Sequence, residues 1–255
     1  MRKYFYKNSY TKCVYNYQRG KIVFVFLSGL GGVKEFFYEY QKYLKRNFGY
    51  FFIDFPGFGS SVYYKKPKNI IQNHVLILKK ILQFHKCENV ILVNFSLSSV
   101  YLYYFQKYKY FKKIVQKIFF IDPVISKNDL GWAMSLFKQK KNFFNYLKNY
   151  KLYLGKILEL SLFNKPRNFK NIIKNLKKFD HNVLNQVNKH SIYLVKNKNI
   201  LNFFSNKKKY YLFPKVKNKI KRFNSLKNTF FIDKCGHYIM FDRPKKTFSI
   251  INSNV

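Results

Sequence analysis

The segment Val90-Ile91-Leu92-Val93-Asn94-Phe95-Ser96-Leu97-Ser98 is an apolar run broken only at Asn94, ending in a serine and followed by an apolar helical pattern, Leu97–Lys107. Such a run suits a parallel strand covered on both faces, because both alternating rows of side chains must then be apolar. A strand passing directly into a helix lifts the side chain between them above the sheet edge and points the first helical amides at whatever stands in front of it. Ser96 is then either a helix cap, which Ser makes in any protein, or a nucleophile. Read alone, the segment favours the cap; its surroundings reverse the choice.

Seven further strand-like runs accompany Val90–Phe95: Arg2–Tyr6, Cys13–Tyr17, Ile22–Leu27, Tyr50–Phe55, Ile118–Ile121, Ile192–Val195 and Thr229–Ile232. Helical patterns fall at Lys34–Arg46, Asn69–Phe84, Leu97–Lys107 and Pro244–Ile251. Strand alternating with helix predicts an α/β fold: a mostly parallel, eight-stranded, doubly wound sheet flanked by helices, its first two strands forming an antiparallel hairpin at one edge. Between Asp122 and Ser191 the alternation breaks into amphipathic, Lys- and Asn-rich helical patterns. We expect residues 123–190 to form a helical cap inserted after the sixth strand, over the strand ends where such sheets bind ligands. Residues 1–255 then make one domain, a size such folds reach without splitting. The run Lys207–Lys209 reads as solvated loop.

Fifty Lys and Arg stand against 10 Asp and Glu, a net charge of +40, while 47% of the chain is apolar and 21% aromatic. The apolar share supplies one core and argues against disorder. The lysines are spread along the chain, and Lys, Asn, Ile, Phe and Tyr are enriched together, as AT-rich coding would produce. No nucleic-acid-binding module is recognisable, so a nucleic-acid partner is not expected. Cys13, Cys87 and Cys235 are distant and odd in number, which fits a reducing compartment, and Cys235 with His237 lacks a second pair to complete a metal site. Neither metal nor cofactor is expected. Lys7 and Lys12 interrupt the N-terminus before any apolar run, and Ile22–Leu27 is too short to span a bilayer, so a cytoplasmic protein with no membrane span is expected.

Three more patterns occur at strand ends. Ser28-Gly29-Leu30-Gly31-Gly32 follows Ile22–Leu27, and its glycines let the backbone turn an amide toward a pocket. Asp54-Phe55-Pro56-Gly57-Phe58-Gly59-Ser60-Ser61 is a Pro/Gly turn whose Asp and Ser residues can brace it. Cys235-Gly236-His237 follows the last strand, from where a His can reach a Ser across the sheet. In this order the patterns resemble the α/β-hydrolase superfamily over nearly all the chain outside the cap. Ser28-Gly29 is similar to that family's His-Gly turn, Asp54 to Ser61 to its Asp-x-x-Gly-x-Gly-x-Ser loop, Ser96 to its elbow nucleophile and Gly236-His237 to its Gly-His. The resemblance implies an oxyanion hole made by the amides of Leu30 and Leu97. It departs at Asn94 and Ser98, which stand where the elbow has glycines to relieve strain.

The same resemblance places the triad's acid, in many members, after the seventh strand. There Ile192–Val195 leads to Asn199, which can accept a hydrogen bond but carries no charge. Asp122, one of six Asp, ends the sixth strand and keeps the order Ser, acid, His; we take it ahead of Asn199, although Asp122-Pro123 could also simply start a turn. The expected function is a serine hydrolase that cleaves a carboxyl ester or thioester through an acyl-enzyme, with a small-molecule substrate that an acidic carrier could present to the basic surface. The alternative is a hydrolase-like fold without turnover, serving as a binding or scaffold protein.

Overall fold

The strands Phe48–Asp54 and Val90–Phe95 are buried at every position in the computed structural model. Strands of this kind need a neighbour on each side for their backbone groups and a layer on each face for their side chains. The structure describes residues 2–130 and 164–255. Within them nine strands form one sheet: β1 (Lys3–Lys7), β2 (Thr11–Gln18), β3 (Ile22–Leu27), β4 (Phe48–Asp54), β5 (Val62–Tyr63), β6 (Val90–Phe95), β7 (Val115–Ile121), β8 (Lys208–Pro214) and β9 (Thr229–Ile232). Their order is β1-β2-β4-β3-β6-β7-β8-β9, with β5 paired to β2. All pairs from β4-β3 to β8-β9 are parallel. Between the strands, antiparallel pairing is confined to the β1-β2 hairpin, β2-β4 and β2-β5, at the edge where the sequence placed a hairpin.

The period-2 alternation of the central strands feeds two cores. Val23, Val25 and Leu27 of β3 join the layer that contains the helix Ile70–Phe84, whereas Phe24 and Phe26 join the opposite layer with the helices Lys34–Tyr43 and Pro244–Ser253. Phe24, Phe26, Phe119 and Phe120 are completely buried, and a buried Phe side chain stabilises a fold by about 1.5–3 kcal/mol relative to exposure. Registers Leu27 with Asn94 and Phe95 with Ile121 align the C-terminal ends of β3, β6 and β7 at one end of the sheet. The candidate residues on the turns after these strands are thereby brought to that end.

Two expectations need correction. Ile192–Val195 is not a strand but part of the helix His181–Asn197. Four apolar residues fit either period; Val183, Leu184, Val187, Ser191, Leu194 and Val195 form the buried helical stripe, and the Asp180 carboxylate caps the helix by accepting from the amides of Asn182 and Val183. The strand in this part of the sheet is instead β8. Its first residues, Lys208 and Lys209, belong to the run expected to be loop, and Lys209 is held by the carbonyl of Leu201. Long lysine stems can leave a strand edge for solvent, so leading lysines do not prevent pairing. With β5 added and β8 in place of Ile192–Val195, the expected eight strands become nine.

Other elements appear with small differences. The helical stretch after Ser96 begins as 3-10 helix, Ser96–Tyr101, before α-helix Leu102–Phe105. Of the expected cap at 123–190, residues 131–163 lie outside the described residues; the helix Phe169–Leu176 and the start of His181–Asn197 fall inside them. All three cysteines are buried free thiols.

His74 is completely buried on Ile70–Phe84, with Nδ1 2.8 Å from the Tyr101 hydroxyl, Nε2 3.0 Å from the Pro56 carbonyl oxygen and its ring stacked on Phe55. Burial pulls its pKa from 6.5 down to about 3, against a weaker opposing effect of the Pro56 hydrogen bond. The unfolded chain therefore takes up a proton at this residue first, and the stability it contributes is present above pH 6.5 and lost on acidification toward pH 3. We expect urea unfolding at a series of pH values to show this loss at about 1.4 kcal/mol per pH unit within that window, and to show a correspondingly shallower slope in His74→Gln.

Candidate active site

β6 ends in a sharp turn. Ser96 has a left-handed φ of 55°, the backbone region that costs a non-glycine residue about 1–3 kcal/mol. Hydrogen bonds from two residues hold the turn in place. The Ser98 hydroxyl donates to the carbonyls of Leu27 (3.0 Å) and Phe95 (2.9 Å), and the Val124 amide donates to the Ser96 carbonyl (3.2 Å). Ser98 thus does by hydrogen bonding part of what a smaller residue would do by leaving room. Asn94 is fully buried beneath the turn, and neither of its amide atoms has a hydrogen-bond partner. An unsatisfied buried group of this kind costs about 1–3 kcal/mol.

The turn after β3 approaches this serine closely. Gly32 donates to the Gly29 carbonyl at 3.0 Å, and Gly31 takes a left-handed φ of 68°. A Cβ on Gly29 would lie 3.0 Å from Ser96 Cβ and 3.3 Å from the Phe95 carbonyl oxygen, so a side chain there would crowd the approach. Leu30 and Leu97, the residues assigned to an oxyanion hole, line one cavity of about 20 Å³ together with Ser28, Gly29, Phe55, Phe58, Tyr101 and Val187. A volume of that size holds about one water-sized group.

Asp122 stands immediately after β7 in a left-handed conformation (φ 38°), its amide held by the Leu212 carbonyl of β8 at 2.8 Å. Its carboxylate, 6% exposed, meets His237 Nδ1 at 2.6 Å through Oδ2 and Lys219 Nζ at 2.8 Å through Oδ1. Burial alone would raise this carboxyl's pKa, but the hydrogen bond and charge of His237 together with Lys219 outweigh it and hold the group below its ordinary value. The His237 ring is 40% exposed at its side chain and lies against Phe95, the residue before Ser96, with centroids 4.8 Å apart. The loop that carries it is fixed from behind: Gly236 donates to Asp242 Oδ2 at 2.9 Å, and the Cys235 thiol donates to the Ile232 carbonyl at 3.1 Å.

Asn199 is not part of this constellation. It follows the helix His181–Asn197 instead of a strand, and its side chain accepts from the Leu201 amide at 3.0 Å as a local cap. Its position as a candidate acid depended on the strand at Ile192–Val195, which does not exist. Among the described residues no group of three or more His, Cys, Asp or Glu is placed to hold a metal, and no helix is long and apolar enough to cross a membrane.

Behind the Ser28–Gly32 turn lies a group of charges. Asp54, fully buried at the end of β4, accepts from the Lys34 amide (2.8 Å), Lys34 Nζ (2.6 Å) and the Ser60 amide (3.0 Å). Lys34 Nζ also meets Glu35 Oε1 at 2.8 Å. Burial would lower the lysine's pKa, yet Asp54 and Glu35 hold it above its usual value, so it stays charged. Gly59, at φ 54°, is excluded from carrying a side chain by the same carboxylate, whose Oδ2 would lie 2.5 Å from a Cβ. Asp54 and Ser61 are legible in the sequence as loop braces. Lys34 and Lys219 are not, because two lysines among so many carry no signal until a carboxylate is placed beside them.

The alpha/beta hydrolase fold family matches residues 22–244 of the chain. Among curated proteins, none matches the sequence. The fold is similar to solved structures at low identity: the esterase EaEST of Exiguobacterium antarcticum (16% identity, TM-score 0.64, covering 96% of this chain and 95% of that one); an esterase of Thermogutta terrifontis (11%, 0.70, 99% and 97%); and a variant of the haloalkane dehalogenase DatA of Agrobacterium tumefaciens (12%, 0.75, 99% and 96%).

Removing one partner of a buried ion pair leaves the other charge without compensation. We expect Lys34→Met, which strands the Asp54 carboxylate, to lower the free energy of unfolding in urea by about 3–5 kcal/mol.

Proposed function

The chain belongs to the alpha/beta hydrolase fold family, and from that premise we propose that it is a serine hydrolase cleaving a small carboxyl ester or thioester, with Ser96 as nucleophile, His237 as general base and Asp122 as the acid. The observation that carries this reading is the 2.6 Å contact between Asp122 and His237 Nδ1 at the sheet end that also bears the strained Ser96 turn. A carboxylate on Nδ1 fixes the tautomer that leaves Nε2 free to take a proton, and its charge stabilises the imidazolium that results.

In the proposed reaction Ser96 Oγ attacks the acyl carbonyl carbon as His237 Nε2 removes its proton. The carbonyl π electrons move onto oxygen, where the amides of Leu30 and Leu97 receive the charge; donors so placed are worth about 2.7–4 kcal/mol each. The tetrahedral intermediate collapses, the bond to the alcohol or thiol breaks, and His237 returns the proton to the leaving group. Water then repeats the two steps on the acyl-enzyme and frees the acid. The small volume of the cavity beside Leu30 and Leu97, about 20 Å³ and lined also by Phe58, Tyr101 and Val187, favours a short acyl group.

One observation favours a second reading, a hydrolase fold without turnover. Asn94 stands where the family's elbow has a glycine, and both of its buried amide atoms are unpartnered, at a cost of about 1–3 kcal/mol each.

A fluorophosphonate probe and p-nitrophenyl esters separate the two. On the hydrolase reading the parent is labelled, Ser96→Ala is not, and Ser96→Ala and His237→Ala each lose about 10³-fold or more in kcat/KM, with Asp122→Asn also severely impaired. Acetate should be turned over faster than octanoate. A parent that neither labels nor turns over any ester would support the inactive reading instead.

A further inference from the structure

From the end of β8 to the end of β9 the chain has no acidic residue, but it has Lys215, Lys217, Lys219, Lys221, Arg222 and Lys227. One of these is built inward. Lys219, on the helix Lys217–Phe223, is 23% exposed at its side chain and places Nζ 2.8 Å from Asp122 Oδ1, the carboxylate oxygen that His237 does not use. Its ammonium also lies 5.5 Å from the Phe213 ring centroid and 5.7 Å from that of Phe223, and 3.8 Å from Asp129 Oδ1. Arg222 backs the same carboxylate, with NH1 3.0 Å from Asp129 Oδ1 and NH2 donating to the Ser126 hydroxyl at 2.7 Å. Asp129 Oδ2 is held in turn by the amides of Ile125 and Ser126 and by the Ser126 hydroxyl. Charges therefore alternate along Asp122, Lys219, Asp129 and Arg222, with the His237 ring at the Asp122 end.

We propose that Lys219 is a positioning residue for the hydrolytic site, which holds Asp122 toward His237 and shares its negative charge, so that His237 acts as a base at lower pH than an unshared carboxylate would allow. The proposal rests on the reading of Ser96, His237 and Asp122 as a triad. Its geometric part is simple: Lys219 Nζ lies 2.8 Å from Oδ1 and His237 Nδ1 lies 2.6 Å from Oδ2, so the two oxygens of the carboxylate have different partners. Its electrostatic part follows from one carboxylate serving two cations. When His237 takes the proton of Ser96, the new positive charge forms next to a carboxylate already half satisfied, with the Lys219 ammonium just behind it.

The other groups around the pair do not replace Lys219. Cys235 is kept neutral, its pKa pushed up to about 12 by burial and by Asp242 and Asp122. Tyr238, whose ring centroid is 5.3 Å from that of His237, is likewise kept neutral, since burial raises its pKa. Asp242 accepts from Gly236, Arg243 Nε donates to the Lys234 carbonyl, and Asp233 is paired with Lys246 at the surface. Asp129 and Arg222 reach Asp122 only through Lys219.

The test compares the parent with Lys219→Gln, Lys219→Met and Lys219→Arg by two readouts. One is the pH profile of kcat/KM on p-nitrophenyl acetate. The other is the imidazole titration of His237 followed by NMR, assigned by its loss in His237→Ala, which requires no turnover. We expect the acid limb and the NMR midpoint to move together to higher pH by about one unit in Lys219→Gln and Lys219→Met, with Lys219→Arg restoring the parent profile. Well below the limb, kcat/KM should fall about tenfold, while the plateau changes less. A midpoint that stays in place or moves down, in whichever neutral variant retains the parent's circular dichroism and melting behaviour, overturns the proposal. A parent without esterase activity overturns the triad reading, whereas the NMR midpoint by itself decides the role of Lys219.

Discussion

Asp54 carries a carboxylate with no access to solvent, at the end of a strand that is buried along its whole length. A charge in that position is tolerable only if it is surrounded by donors. Meeting the requirement ties distant segments together: the start of the helix Lys34–Tyr43 through the Lys34 amide and ammonium, and the loop at Ser60. The backbone carbonyl of Asp54 is held separately by the Ser61 hydroxyl at 2.7 Å, which accepts from the Val14 amide of β2 at 2.7 Å. The Ser28–Gly32 turn and the Pro56–Ser61 loop, which wall the cavity beside Ser96, are thus fixed relative to the sheet by one buried group. Asp122 follows the same logic at the end of β7, where its partners are His237 and Lys219. In a chain of net charge +40 a carboxylate is scarce, and two of the few present organise the end of the sheet that bears the candidate site.

Strain and imperfect satisfaction collect at the same end. Ser96 and Asp122 both take left-handed backbone conformations, and Asn94 is buried without partners between them and the core. Such features persist where the surrounding structure over-determines them, and they cluster where side chains must be presented in a particular direction. Here the surrounding structure includes the Ser98 hydroxyl on Leu27 and Phe95, the Val124 amide on Ser96 and the Leu212 carbonyl on Asp122. All but the Ser98–Phe95 bond join segments of neighbouring parallel strands or the turns that follow them, so parallel register helps to hold the turns in place.

The overall basicity and the local electrostatics are separate matters. Lysines spread along the chain repel one another and set solubility and encounter with anions. Near the site their effect depends on contact: Lys34 and Lys219 lie against buried carboxylates, whereas the exposed pair of Lys246 with Asp233 is of the surface type that stabilises little. Net charge gives no hint of which lysine does which.

By itself, the sequence determined the α/β class, the edge hairpin, the parallel central strands and the turns bearing Leu30, Ser96, Asp122 and His237, because these depend on local periodicity and on turn chemistry read over a few residues. It misassigned Ile192–Val195, where four apolar residues suit a strand or a helix equally, and it hid β8 behind the lysines Lys208 and Lys209. That pair of errors is what gave Asn199 an apparent place as an acid. Only the tertiary structure decided that Asp122 meets His237, that Lys219 occupies the other oxygen of the same carboxylate, and that Lys34 neutralises Asp54. These are contacts between residues far apart in the chain, and a lysine or an aspartate acquires its electrostatic role only from the burial and the neighbours that folding supplies.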